Sequence, residues 1–397
     1  MQGIINNDCL IEMKKIKDNS IDLIYLDPPF FTQTEQKGVT KDNTTISFND
    51  KWYNLEDYLN YIKERVIEIR RILKDTGSIF LHCDKIASHY LRVMLDEIFG
   101  MNNFQSDIVW TYRRWSNSKK GLLNSHQNIF FYSKTKDFKF NTFYTDYSPT
   151  TNVDQILQQR ERNSDGKCVY KKDENDMVVI DTNKKGVPLS DVWDIPFLNP
   201  KAKERTGYPT QKPILLLEKI IEIATNENDI VLDPFCGSGT TLVAAKLLNR
   251  QYMGMDISKE AIKITKQRLD NPIKTESNLM KKGIDKYKIK TEEEIEILNA
   301  IGAIPVQRNQ GIDGLLISDE LKKPIAIKIQ KDSEDFKLAK DRLVSASRTK
   351  DCACKILIKK NNGNSEQQYI FEEDNTDVIV VNNYNEILKN KRIFASV

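Results

Sequence analysis

The sequence predicts an α/β protein on a doubly wound sheet, followed by a small C-terminal α/β domain. Three observations lead there. Ile21-Asp22-Leu23-Ile24-Tyr25-Leu26 is a short, nearly continuous apolar run that stops at Asp27-Pro28-Pro29-Phe30, the pattern of a buried parallel strand. Asn228-Asp229-Ile230-Val231-Leu232-Asp233-Pro234-Phe235-Cys236-Gly237-Ser238-Gly239-Thr240-Thr241 passes from a strand through a Gly-rich turn into a helix. Between and around these stretches, helical and strand-like patterns alternate.

The first strand ends where Pro28 and Pro29 stop any ladder and fix the turn. A carboxylate, a rigid carbonyl and an aromatic ring are thereby set at the carboxyl end of a strand, where open α/β sheets bind ligands. The exocyclic amine of adenine or cytosine is a weak nucleophile, because its lone pair is delocalised into the ring. Asp27 and the Pro28 carbonyl can accept hydrogen bonds from that amine and favour a pyramidal nitrogen, free to attack an electrophilic methyl group. Phe30 then stacks on a base that has left its duplex.

Leu55 to Leu73 carries Leu59, Ile62, Val66, Ile69 and Leu73 at near-helical spacing. Lys74-Asp75-Thr76-Gly77 ends that helix and leads to a strand, Ser78 to His82. Asp84 opens a helix that reaches Phe99 and is closed by Gly100. Phe104 to Tyr112 and Asn128 to Tyr132 are further strands. From Phe138 to Ser190 regularity fails, with turn chemistry at Thr150-Thr151-Asn152, Asn163-Ser164-Asp165-Gly166 and Asn183-Lys184-Lys185-Gly186.

Ile230 to Leu232 is a strand, and Thr240 to Leu248 a helix. In the turn between them, glycines allow close approach of a ligand and the helix N-terminus favours an anionic group. Tyr252-Met253-Gly254-Met255 is a second strand and ends at Asp256. An acid at that distance from the loop suits ribose hydroxyls.

These residues resemble the amino-methyltransferases that act on DNA bases with S-adenosylmethionine. Asp27-Pro28-Pro29-Phe30 is similar to their catalytic tetrapeptide, and Asp233 to Thr241 to their cofactor loop. The tetrapeptide precedes the loop, the order of the β subgroup. The resemblance covers residues 1–275 and implies a Rossmann-like methyltransferase sheet, with 138–190 as an inserted target-recognition region. It places Asp8 and Cys9 at the cofactor adenine, and Lys212, in Thr210-Gln211-Lys212-Pro213, near its methionine end. Asp233, Phe235, Gly237, Gly239, Thr240 and Asp256 fall in the cofactor pocket, and Glu204-Arg205-Thr206-Gly207 at the active-site entrance or in a structural turn. The expected partner is duplex DNA, with a cognate restriction enzyme and a homodimer left open. An aspartate at the head of the tetrapeptide points to adenine N6; cytosine N4 and a catalytically idle DNA-binding subunit are the alternatives.

A net charge of +3 with 29% charged residues gives no strong overall field, so DNA needs local basic patches. Arg113-Arg114-Trp115-Ser116-Asn117-Ser118-Lys119-Lys120 is one candidate; a solvated loop is the other reading. Six scattered cysteines, no signal peptide and no membrane-length apolar run imply a cytoplasmic protein. Cys236 reads as a packing residue. His82, His89 and His126 read as structural or surface residues, and no metal site is expected.

Residues 276–290 form a lysine-rich linker, and 291–397 a compact α/β pattern. Its predicted elements are a helix Glu292 to Ile301, strands Ile304 to Gln307, Gly314 to Ile317 and Pro324 to Gln330, a helix Ser333 to Ala346, and strands Cys354 to Lys359, Tyr369 to Glu372 and Val378 to Val381. The order resembles a small restriction-endonuclease core, an unrelated α/β appendage being the alternative. Asp313 fits that core's first acid, whereas Lys328-Ile329-Gln330 puts a lysine where a second metal-binding group belongs. An ammonium offers no lone pair, so the expectation is a domain that does not cleave DNA and instead assists DNA binding or assembly.

Overall fold

The computed structural model describes residues 3–40, 43, 45–112, 120–145, 158–179, 186–199, 201–275, 290–307, 309–317, 323–348, 352–359, 378–382 and 384–389. The chain divides into two compact units, Met1–Lys281 and Lys282–Val397. Residues 113–119 of the basic candidate, two of the three predicted turn clusters in whole or part, and the strand Tyr369 to Glu372 lie outside the described residues.

The first unit carries strands Gly3–Asn6 (β1), Ile21–Leu26 (β2), Glu35–Val39 (β3), Thr45–Asn49 (β4), Leu73–Cys83 (β5), Phe104–Thr111 (β6) and His126–Ser133 (β7). Short strands follow at Tyr144–Thr145 (β8), Arg160–Arg162 (β9), Cys168–Tyr170 (β10), Val187–Pro188 (β11) and Val192–Asp194 (β12), then Ile230–Asp233 (β13) and Gln251–Asp256 (β14). Its helices are Cys9–Met13 (α1), Leu55–Ile72 (α2), Ser88–Phe99 (α3), Ile214–Ala224 (α4), Thr240–Leu247 (α5) and Lys259–Asp270 (α6). No helix among the described residues is long and apolar enough to cross a membrane.

Eight strands make one sheet in the order β1-β14-β13-β2-β5-β7-β6-β12. The run from β1 to β5 is parallel, and β7 is antiparallel to both β5 and β6. Alternate side chains of β2 and β5 feed opposite faces. Ile24, Leu26, Ile79 and Leu81 pack with α1, α2 and α3, whereas Leu23, Tyr25 and Phe80 pack with α4, α5 and α6. Burial on both faces explains why β2 reads as an unbroken apolar run. Its one acid, Asp22, is fully buried and held by Lys74 at 2.7 Å, Lys139 at 2.8 Å and the Ile230 N–H at 3.0 Å.

In the first unit, two boundaries differ from the sequence reading by several residues. Lys74 to Gly77 lies inside β5, as an irregularity in its pairing with β2 rather than a turn before it. Asp84 does not start α3; it caps the preceding turn, accepting from the N–H groups of Ile86 at 2.6 Å and Ala87 at 3.0 Å, and the helix begins at Ser88.

The second unit has helices Glu292–Ala300 (α7), Phe336–Ser347 (α8) and Tyr384–Lys389 (α9) with strands Ile304–Pro305 (β15), Gly314–Leu316 (β16), Ile325–Ile329 (β17), Lys355–Ile358 (β18) and Val378–Val381 (β19). The five strands form a sheet in sequence order, antiparallel through β17 and parallel beyond. A capping box closes the start of α7, where Thr291 and Glu294 each bond the other's backbone. Asp313 is fully buried. Lys290, expected in the linker, is buried in an ion pair with it, and Lys328 lies 3.4 Å from Asp313 and 2.9 Å from Glu334.

Candidate active site

Asp27 follows β2 at the carboxyl end of the sheet. Its carboxylate is ion-paired with Lys212, the residue just before Pro213 and α4. Lys212 is buried and its Nζ lies 5.5 Å from the centre of the Phe30 ring. Beneath them is His82, from the end of the neighbouring strand β5. It is fully buried, with Nδ1 3.7 Å from Asp27 Oδ1 and its ring 5.7 Å from that of Phe30. Burial, and secondarily the Lys212 charge, push the imidazole down to about 3, so it is neutral. A neutral ring donating from Nε2 to Gln127 Oε1 (2.9 Å) leaves Nδ1 to accept from the Tyr25 hydroxyl at 2.8 Å.

The cofactor-type loop joins β13 to α5. Asp233 turns its carboxylate onto that loop, accepting from the Phe235 N–H at 3.0 Å and the Thr241 hydroxyl at 2.5 Å. Burial raises it to about 7. Gly237 and Gly239 have φ of 50° and 75°. A Cβ on Gly239 would lie 2.5 Å from Thr265 Cγ2, so the backbone is seated where no side chain fits. Asp256, at the end of β14, accepts from the Gly237 N–H at 2.9 Å and the Ser258 N–H at 2.8 Å. Burial pushes its carboxyl above the ordinary carboxylate range. Arg268 braces the loop from α6, donating to the Ser238 carbonyl at 2.7 Å and Thr240 Oγ1 at 2.9 Å.

At the end of β1, Asp8 caps α1 through the Leu10 N–H at 2.8 Å and pairs with Arg65 at 2.8 Å. Arg65 stacks over Tyr61, 3.4 Å from its ring centre. Cys9 is buried, and burial raises its thiol to about 11. Cys236 is likewise buried with its thiol raised by burial, as befits a packing residue.

These groups meet in one cavity of about 670 Å³, lined by every sequence-predicted site residue except Gly239. The hairpin β3–β4 adds Ile46 and Phe48, and Phe48 stacks on Tyr208 with ring centres 6.1 Å apart. Thr210, beside Lys212, holds a φ of 60°, a strained value for a β-branched residue and one concentrated at functional sites. S-adenosylmethionine fits this set of groups: two glycines at positive φ before a helix N-terminus, and the acids Asp8, just after β1, and Asp256, at the end of β14, lining the same cavity as Phe235. Glu204 is buried and accepts from the N–H groups of Thr275 at 2.9 Å and Ile214 at 3.4 Å, which makes it part of a structural turn.

Sequence reasoning missed His82, Tyr25, Asp84, Trp52 and the hairpin aromatics. For His82 and Asp84 a signal existed: they lie at the carboxyl end of the strand read from Ser78 to His82, which pairs in parallel with β2 and so shares its carboxyl edge.

Residues 21–267 match the N6_N4_Mtase family, described as a DNA methylase. In a comparison of structures, the M1.HpyAVI–SAM complex aligns at a TM-score of 0.43 and 23% identity, over 68% of this chain and 100% of that one. The Type II methyltransferase M.HpaI of Haemophilus parainfluenzae is 33% identical over 271 residues, covering 68% of this chain and 74% of that protein. The DNA adenine methyltransferase YhdJ of Escherichia coli (strain K12) is 32% identical over 270 residues, covering 67% and 82%. The chain belongs to this family of DNA amino-methyltransferases, which methylate adenine N6 or cytosine N4 with S-adenosylmethionine as the methyl donor.

Proposed function

We propose that the chain methylates the N6 amine of an adenine flipped out of duplex DNA at a specific sequence. One observation carries this: the Asp27 carboxylate and the Gly237–Thr241 loop, on the adjacent strand ends β2 and β13, open into a single cavity. Asp27 and the Pro28 carbonyl accept the two N–H groups of the target amine, and Phe30 stacks on the ring. Asp8 and Cys9 border the cofactor's adenine, Asp256 takes its ribose hydroxyls, and Lys212 meets its methionine carboxylate. When bound, S-adenosylmethionine supplies an electrophilic methyl group. The aspartate heading the tetrapeptide, and a relative named as an adenine methyltransferase, favour adenine.

Residues 138–190 act as the target-recognition region in this reading. The second unit assists DNA binding and does not cleave, since the Asp313 oxygens are engaged by Lys290 and Lys328 in place of a metal. The enzyme works in the cytoplasm, alone or beside a cognate restriction enzyme, as one copy or two. Plasmid propagated with the active chain is expected to yield N6-methyladenosine on hydrolysis and nucleoside analysis. Modified cytosine instead would reassign the base; no modified base from a plasmid of broad sequence content would favour an idle DNA-binding subunit. Asp27→Ala is expected to abolish the modification while cofactor still binds.

A further inference from the structure

The peptide unit between Phe30 and Phe31 has both its polar atoms held by distant side chains. Trp52 donates its indole N–H to the Phe30 carbonyl at 3.2 Å, and the Phe31 N–H donates to Asp84 Oδ2 at 2.9 Å. The two holders are anchored independently. Trp52 packs against Tyr58 and Tyr61 of α2, with ring centres 5.0 Å away in each case. Asp84 is buried, and its other oxygen is fixed by the Ile86 and Ala87 N–H groups of the turn after β5.

A peptide is planar, so gripping its carbonyl and its N–H fixes the whole plane. Rotation about the Phe30 ψ and the Phe31 φ is then lost. On the other side, Pro28 and Pro29 stiffen the chain through their rings. The Phe30 backbone is therefore constrained from both directions, and its ring is seated against His82.

We propose that Trp52 and Asp84 are positioning residues that set the angle at which the Phe30 ring stacks on the target base. This rests on the stacking role given to Phe30 above. Misplacement of a reacting group by on the order of 1 Å can cost about a hundredfold in rate, so a platform of this kind needs its backbone fixed.

The test uses the full chain, saturating S-adenosylmethionine and a plasmid carrying the site found by in vivo methylation. Trp52→Phe removes the donor and keeps a ring; it is expected to slow single-turnover methyl transfer about tenfold, the loss of one hydrogen bond acting on the transition state. Asp84→Ala is expected to do the same, with the cofactor Kd changed by less than about twofold. Because both residues act through Phe30, Trp52→Phe added to Phe30→Ala should cause no further loss. Wild-type rate in Trp52→Phe, or full additivity of that pair, would overturn the proposal even if Asp84→Ala fails to fold. A wild-type rate in Phe30→Ala would instead remove the stacking role itself, and the proposal with it.

Discussion

Charge at individual residues sets how this protein should respond to pH and to substitution. Burial raises Asp233 to about 7 and Asp50 to about 6, against about 4 for a free carboxyl. Between roughly pH 4 and 7 the folded state therefore binds more protons at these acids than the unfolded chain does, and their contribution to stability falls as pH rises. His82, held near 3, has the opposite sign: its contribution grows as pH rises from about 3 and is complete near pH 6.5. Of these three groups, Asp233 is the one that still titrates appreciably above that point. Asp233→Asn keeps an acceptor for the Phe235 N–H and offers a donor to Thr241, so its Tm should fall less than that of the wild type between pH 6.5 and 8; parallel melts check this. Asp256→Ala should raise the cofactor Kd roughly ten- to hundredfold, the loss of a charge-assisted bond worth about 1.5–3 kcal/mol, measurable by calorimetry. Asp27 and Asp256 were legible because each closes a strand within a motif. The Lys212 ion pair and the contacts that His82 and Asp84 make with the tetrapeptide region were not, since each joins segments far apart in the sequence.

At the scale of elements, periodicity found what packing enforces. The apolar spacing of α2 matches its buried face at Ile62, Val66 and Ile69. The hairpin β3–β4 went unread because its strands are polar and partly exposed, and one of its tertiary anchors is a single aromatic stack on Tyr208. Asp84 misled the start of α3 for a physical reason: its carboxylate serves the Phe31 N–H as well as the turn, one helical turn before Ser88. The loop entering α5 makes the sharpest prediction at this scale. Gly239→Ala adds strain at a φ of 75° and drives a Cβ into Thr265, which is fully buried and donates to the Gly237 carbonyl at 2.9 Å. Such overpacking typically costs about 1–3 kcal/mol, and the loop must move. Denaturant melts should register that loss, together with weakened cofactor binding.

For the whole molecule, the second unit carries a different kind of prediction. Removing Asp313 leaves the Lys290 and Lys328 ammonium groups buried without it, and breaking a buried ion pair in this way costs about 3–5 kcal/mol. Asp313→Ala should therefore lower the melting of this unit, and neither it nor the wild type should nick plasmid with Mg²⁺. Metal-dependent nicking lost on Asp313→Ala would reverse the non-cleaving assignment. The order of elements from α7 to β18 was visible in the sequence, whereas α1, α4, α6 and the hairpin β3–β4 of the first unit were not read, and the lysine that fills the Asp313 site lay in a stretch that reads as linker. The sheet order has a last consequence, in time rather than in space. Strand β1 lies beside β14, so Asn6 bonds the Asp256 carbonyl across 250 positions. A chain leaving the ribosome exposes the first two strands long before β13 and β14 exist to separate and pair them. Closing such distant parallel contacts is slow, and unpaired strand edges invite association in the meantime. Folding of the first unit should accordingly wait on synthesis of its last strand, with the tetrapeptide gaining its cofactor loop only at the end.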